Sequence, residues 1–524
     1  MTIKEQTGAI ARSAVTLDRR AAIAAGTAFA LWSPAQAGLQ LDPITALDAT
    51  ALSAAIHARR LSCVEVMTAY LDRIDALNTT VNAIVALQDR AALLAEARQR
   101  DEELARGLSR GPLHGFPHAV KDLEDVRGIV STQGSPILKD FVPKTDGYFI
   151  ERLRRGGAIF IGKTNVPEFG LGSQTYNRVY GTTGNAYDPS KTSGGSSGGA
   201  SVGVALRMLP LADGSDYMGS LRNPTAWNNV FGLRPSIGRI ARSNDGFLPS
   251  IGVMGPVART LPDMAMLLSV MAGPDVRDPA SIHGDPGLFL QSLARDWRGT
   301  RIGWLGDFGG YLAFEPGILD LCRGAIKVLE GLGCIVEEVR PDQDMAELWE
   351  AFVAIRNWQT AAGLADFHAD PAKRALLKAE AVWEVQRGLA LKAIDITRAS
   401  AVRIAWYRKI VKLFETYRFL VSPSAQVFPF DKSLHWPDHI GNRPMDSYHR
   451  WMEVVAPISL TGCPAIGVPV GFGAQGLPMG MQIVGSLGQD LDCLRIAQAY
   501  DKETRWVERR PPEASAQVLL RLSG

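Results

Sequence analysis

The sequence is poor in cysteine, carries no excess of charge of one sign, and shows no internal repeat. Its five cysteines, Cys63, Cys322, Cys334, Cys463 and Cys493, are scattered through 524 residues. None belongs to a C-x-x-C pair, so neither a zinc site nor a disulfide framework is signalled. They read as small buried apolar residues. Lys and Arg total 56 against 54 Asp and Glu, a net charge of +2. That balance supplies no pull toward nucleic acid or an anionic membrane. No apolar run approaches the roughly 20 residues that a membrane helix needs. What remains is a soluble globular composition, 46% hydrophobic and 21% charged,. The length exceeds that of a usual single domain, which allows one large unit or several.

Residues 1–40 do not read as part of the fold, and 1–37 of them read as an export signal. Arg19-Arg20 precede the uncharged run Ala21 to Trp32, followed by Pro34-Ala35-Gln36-Ala37. A basic region, an apolar region and a small-x-small site form an export signal, here of twin-arginine type. Cleavage after Ala37 would begin the mature chain at Gly38 and direct it to the periplasm. The alternative is an N-terminal extension on a cytoplasmic protein.

Beyond it, strands and helices alternate, which predicts an α/β fold with a layered core. Ser62-Cys63-Val64-Glu65 has the form of a capping box. Val64, Met67, Leu71 and Ile74 then recur at helical spacing,. Ala158 to Ile161 reads as a strand, Ala200 to Leu211 as a buried helix, and residues 343–417 as mostly helical. Pro464 to Phe472 and Leu477 to Val484 read as a strand pair, and Asp490 to Lys502 as the last helix. Gly157 to Thr164 matches G-x-x-x-x-G-K-T, but its four middle residues are the strand itself and Pro167 disrupts the following helix. Nucleotide binding is therefore rejected, because that motif works only between a strand and a helix.

Residues 192–224 are the richest in chemistry. Gly194-Gly195-Ser196-Ser197-Gly198-Gly199 and Gly214-Ser215-Asp216-Tyr217-Met218-Gly219-Ser220 bracket an apolar run. Glycine-rich backbone can aim several N–H groups at one developing oxyanion. A serine among them is a candidate nucleophile if a base takes its proton. His114, His118, His435, His439 and His449 could supply one, but no G-x-S-x-G elbow is present to support a Ser-His-Asp triad. Lys121, at the end of an apolar strand, is another base if burial lowers its pKa.

These residues resemble the amidase signature family. The resemblance rests on Lys121 in GFPHAVKD, SGGSSGG at 193–199, GSDYMGSLRNP at 214–224 and FGLRPSIGR at 231–239. SLTGCPAIGVPVGF at 459–472 and GLPMGMQIVG at 476–485 extend it. It covers roughly residues 45–510. It implies a mixed central β-sheet flanked by helices on both faces, one domain over 38–524, and a pocket shaped by residues 343–450. It implies amide hydrolysis without metal or cofactor, with Ser220 as nucleophile. Ser196, on a cis peptide, would pass the proton to a neutral Lys121. Backbone N–H groups of Tyr217, Met218, Gly219 and Ser220 would hold the oxyanion, and Gly170 would offer backbone to the substrate. Asp216 and Arg222 would brace the loop. The expected partner is a small-molecule amide, with a homodimer as the family's assembly. The alternative is an amidotransferase subunit that passes ammonia to a partner enzyme. Two departures stand out: Ser215 replaces the family's usual threonine, and Met218 replaces the first of its paired glycines. The tryptophans and Met218 suggest an apolar or aromatic acyl group.

Overall fold

A computed structural model describes residues 42–243, 251–509 and 512. The export signal expected over residues 1–37 lies outside them. The first long helix, Cys63–Val81, starts at the predicted capping box. Ser62 Oγ accepts the Glu65 N–H at 3.1 Å, and the Glu65 carboxylate accepts the Ser62 N–H at 2.8 Å. Two orphan donors of the first turn are thereby satisfied. Met67, Leu71 and Ile74 are buried on one face of this helix.

The fold is mixed α/β around an eight-stranded sheet. Its order is Ile335–Glu338, Arg301–Trp304, Phe419–Pro423, Pro478–Gly485, Ala465–Phe472, Phe231–Arg234, Val253–Ala258 and Ala212–Asp216. The first three strands run parallel and the remaining pairings are antiparallel. Ala465–Phe472 and Pro478–Gly485 form the predicted antiparallel pair. Both are buried almost throughout, so the sheet is covered on both faces,.

A smaller sheet joins Ile84–Val85, Ile159–Thr164 and Pro117–Lys121 in that order. Gly162-Lys163-Thr164 lies within its middle strand, where Lys163 is buried 3.8 Å from Asp122. The nucleotide motif is thus strand, as its context required.

The stretch read as one helix over Ala200 to Leu211 divides differently. The helix is Gly198–Ala205, and Ala212–Asp216 follows as an edge strand that propensity does not announce. Its sequence ADGSD is poor in the β-branched and aromatic residues that favour strands. Pairing with Val253–Ala258 along its whole length holds it extended. Small residues let the helix close on its neighbours: a Cβ on Gly199 would lie 2.4 Å from the Asn165 nitrogen.

All five cysteines are free and buried. Among the described residues, no helix is long and apolar enough to cross a membrane.

Candidate active site

Lys121 ends the strand Pro117–Lys121, and its side chain is completely buried. Its Nζ lies 2.8 Å from Ser196 Oγ, 2.7 Å from Ser197 Oγ and 2.9 Å from Ser215 Oγ. The Ser215 carbonyl accepts from it at 3.3 Å. Burial lowers the amine to about 7, against the opposing pull of Asp213, Asp216 and Glu124. A lysine in this state can take a proton at neutral pH. Ser197 and Ser215 are neighbours of the amine that sequence reasoning missed. The signal was present in the adjacency of Ser197 to Ser196, and in Ser215 keeping the hydroxyl of the threonine it replaces.

Ser196 and Ser197 precede the helix Gly198–Ala205. The Gly195–Ser196 peptide is cis. The Gly195 carbonyl accepts from Ser173 Oγ at 2.8 Å. Ser196 is almost fully buried.

Ser220 sits in the turn between the edge strand Ala212–Asp216 and the helix Asn223–Trp227. The turn is built on Asp216. Its carboxylate accepts from Gly219 N–H at 2.9 Å, Leu221 N–H at 3.1 Å and Arg222 Nε at 2.9 Å. Arg234 Nη1 donates to it at 3.2 Å. Burial alone would raise this carboxyl; Arg222 and Arg234 overcome that and hold it below the usual range. Arg222 also donates to Gln482 Oε1 at 2.6 Å and Ser459 Oγ at 2.7 Å. The pair ties the turn to the central sheet and to the helix Ala456–Thr461, a bracing role.

The same bracing engages one of the expected oxyanion donors. The Gly219 N–H donates to Asp216 Oδ1 at 2.9 Å. Among the described residues, the N–H groups of Tyr217, Met218 and Ser220 donate to no protein acceptor. Gly219 has a conformational role: its φ is +84°, and a Cβ there would lie 2.7 Å from Val455 Cγ2.

Ser196, Ser215, Tyr217, Met218, Ser220 and Gly170 meet at one cavity of about 210 Å³. Gly170 has a φ of +70°, and a Cβ built on it would lie 3.6 Å from Ser196 Oγ. Of residues 343–450, Arg356 lines this cavity. The helix Met345–Ala369 packs on both Ala379–Ala390 and Ala393–Phe414. Trp349, Trp358, Trp383 and Trp406 are absent from this lining among the described residues. Trp406, for example, is buried with its Nε1 donating to the Pro457 carbonyl at 2.7 Å. Polar groups instead share the lining with Met218, Met254 and Met452: Glu124, Gln133, Arg242 and Arg356.

No histidine lines the cavity among the described residues. His118 is buried with its Nε2 2.9 Å from Asp213 Oδ1, His114 faces the Arg100 carbonyl, and His435 stacks on Tyr176. A Ser-His-Asp arrangement therefore does not form there. The arrangement present is a buried amine, two serines and a turn with open N–H groups. Together they can deprotonate a hydroxyl and stabilise a tetrahedral oxyanion.

Known proteins match this chain along most of its length. The profile of the family described as Amidase matches residues 65–494. A glutamyl-tRNA(Gln) amidotransferase subunit from Chloroflexus aurantiacus is 35% identical over 491 residues, covering 89% of this chain and 98% of the relative. An acylamidase from Rhodococcus erythropolis is 32% identical over 473 residues, again covering 89% and 98%. Among solved structures, a bacterial aryl acylamidase described as an amidase signature enzyme superposes with a TM-score of 0.83. It is 26% identical and covers 89% of this chain and 99% of that one.

Proposed function

The chain belongs to the amidase signature family and is an amide hydrolase acting on carbon–nitrogen bonds, and from that premise we propose that it cleaves a small acyl amide through an acyl-enzyme on Ser220. Ser220 Oγ attacks the amide carbonyl as its proton passes to Ser196 Oγ, whose own proton passes to Lys121 Nζ. The N–H groups of Tyr217, Met218 and Ser220 stabilise the oxyanion; one such donor is typically worth about 3 kcal/mol. Collapse expels the amine, which takes the proton back along the same path. Water then attacks the ester carbonyl, deprotonated by the same relay, and releases the acid.

The observation that carries this reading is a buried lysine, lowered to about 7, that lies 2.8 Å from Ser196 Oγ beside the cavity that Ser220 lines. It is tested by screening aliphatic, aromatic and peptide amides for hydrolysis. A fluorophosphonate probe should label the native protein at Ser220. Turnover by Ser220→Ala would refute the assignment.

The relative from Chloroflexus favours a second reading, an amidotransferase subunit that releases ammonia from glutamine for a partner enzyme. Glutaminase activity together with co-purification of a second polypeptide would select it. A twin-arginine signal at Arg19-Arg20 supports export to the periplasm instead,. Under that reading the mature protein begins at Gly38, and replacing both arginines by lysine retains the precursor in the cytoplasm. The assembly we assign is a homodimer, checked by analytical ultracentrifugation.

A further inference from the structure

The cavity beside Ser220 holds two charged side chains that the proton relay leaves unused. Glu124 follows Lys121 by three positions, and Arg242 follows the strand Phe231–Arg234; both line the cavity with Ser196 and Ser220. Glu124 is anchored through its backbone, whose carbonyl accepts from Lys163 Nζ and from Ser131 Oγ at 3.5 Å. Among the described residues, no hydrogen bond or ion pair reaches its carboxyl group. Arg242 is anchored too: its N–H donates to Asp278 Oδ2 at 2.9 Å and its Nη1 to the Gly252 carbonyl at 2.8 Å. Its Nε is buried and meets no acceptor among the described residues.

Opposite charges that share a cavity wall ordinarily close on each other. These two form no ion pair with each other among the described residues, yet both side chains line the same space. A ligand with a single charge would satisfy one and leave the other desolvated without compensation. A group offering one N–H and one C=O satisfies both. An acylamino group has that pattern, and the Met218, Met254 and Met452 side chains on the same lining suit the apolar remainder of such a substrate,.

We propose that Glu124 and Arg242 form a subsite for an acylamino group of the substrate, Glu124 accepting its N–H and Arg242 donating to its carbonyl. The preferred substrates are then amides of N-acylated amino acids or short peptides. This deepens the hydrolytic reading above and rests on it. Burial pushes the Glu124 carboxyl up to about 7, with Arg242 opposing and Asp213, Lys163 and Asp125 nearby. A carboxyl keeps an acceptor oxygen in either protonation state, so the bond does not require full ionisation.

The test compares N-acetylphenylalanine amide with 3-phenylpropanamide, which share the scissile carboxamide and differ in the acylamino group. Binding is measured by calorimetry to the Ser220→Ala protein, so turnover is not required. The acetylamino compound should bind about tenfold more tightly, as expected for hydrogen bonds to charged groups. Adding Glu124→Met should close that gap, and Glu124→Gln, whose amide carbonyl still accepts, should restore part of it. Arg242→Met is a second variant with the same expectation, and thermal melting reports the folding of each. Equal affinity for the two compounds, including no binding by either, overturns the subsite. So does a gap untouched by Glu124→Met or Arg242→Met in folded protein. Turnover by Ser220→Ala would overturn the reaction assigned to Ser220 while leaving the binding comparison to stand by itself.

Discussion

Asp213 ties the backbone of Lys121 to the edge of the large sheet: its Oδ2 accepts the Lys121 N–H at 3.2 Å. Its Oδ1 is 2.9 Å from His118 Nε2, so one carboxylate holds two residues of the neighbouring strand. This buried bond joins the two sheets at the point where the amine leaves the backbone. It places Nζ beside Ser196 and Ser197 and keeps water from it, and the lowered pKa follows from that burial.

The first prediction concerns pH. Lysine must be neutral to act as the base, and burial lowers Lys121 to about 7. The rate kcat/KM should therefore rise with pH through an ionisation near that value. The same shift governs stability. Between about 7 and the ordinary lysine value of 10.5, the unfolded chain binds a proton that the folded chain refuses. Folding is thus favoured increasingly as pH rises across that window. Lys121→Met lacks this slope, so its melting temperature relative to the native protein should improve as pH falls from about 10 to about 7. A pH-independent difference would place the amine in solvent.

Ser220→Ala should abolish turnover without unfolding the protein, since no protein group bonds to the Ser220 hydroxyl among the described residues. Loss of a serine nucleophile typically costs a factor of about 10⁶ in kcat. The checks are kcat and the melting temperature measured on the same preparation.

The three hydroxyls around Lys121 are expected to differ in weight. A neutral amine has two N–H groups and one lone pair. Ser197 and Ser215 can accept the two N–H groups and leave the lone pair aimed at Ser196. Ser196→Ala should lower kcat by about 10²- to 10⁴-fold, the usual range for losing a proton-transfer group. Ser197→Ala and Ser215→Ala should each cost only roughly tenfold, about one net hydrogen bond. Equal losses at all three positions would argue against a directed relay.

Gly219→Ala should destabilise the protein and inactivate it. The backbone is left-handed there and Val455 leaves no space for a Cβ. The backbone term alone is roughly 1–3 kcal/mol. A melting temperature unchanged from the native protein would contradict the geometry of the turn.

Asp216→Asn breaks a buried pair with two arginines. Removing one partner of such a pair typically costs about 3–5 kcal/mol, because the remaining charge stays buried. Urea unfolding should show that loss, with activity falling as Ser220 loses its brace.

Much of the architecture was legible because local signals govern it. The Ser62–Glu65 cap acts within one helical turn, and the apolar stripe from Met67 to Ile74 repeats with the helix,. The strand Ala212–Asp216 was not legible, because its residues do not prefer extended backbone and only the adjacent strand holds them there,. The tryptophans of the helical region, set at helical spacing, read as core in sequence, and Trp349 and Trp406 are buried.

The sequence by itself determined which groups were on hand and in what order: one lysine closing an apolar strand, serines set among glycines, and an aspartate and arginine flanking the last of them. The resemblance of those motifs assigned the chemistry. Tertiary structure alone decided that Lys121 meets three hydroxyls instead of one and that Gly219 spends its N–H on Asp216. It also decided that Glu124 and Arg242 share the cavity. Such outcomes depend on pairings between strands and turns that lie far apart in the chain; Lys121 and Ser196 are 75 residues apart. Propensity and periodicity extend over a few residues, whereas burial and hydrogen-bond competition are settled only when the whole core closes.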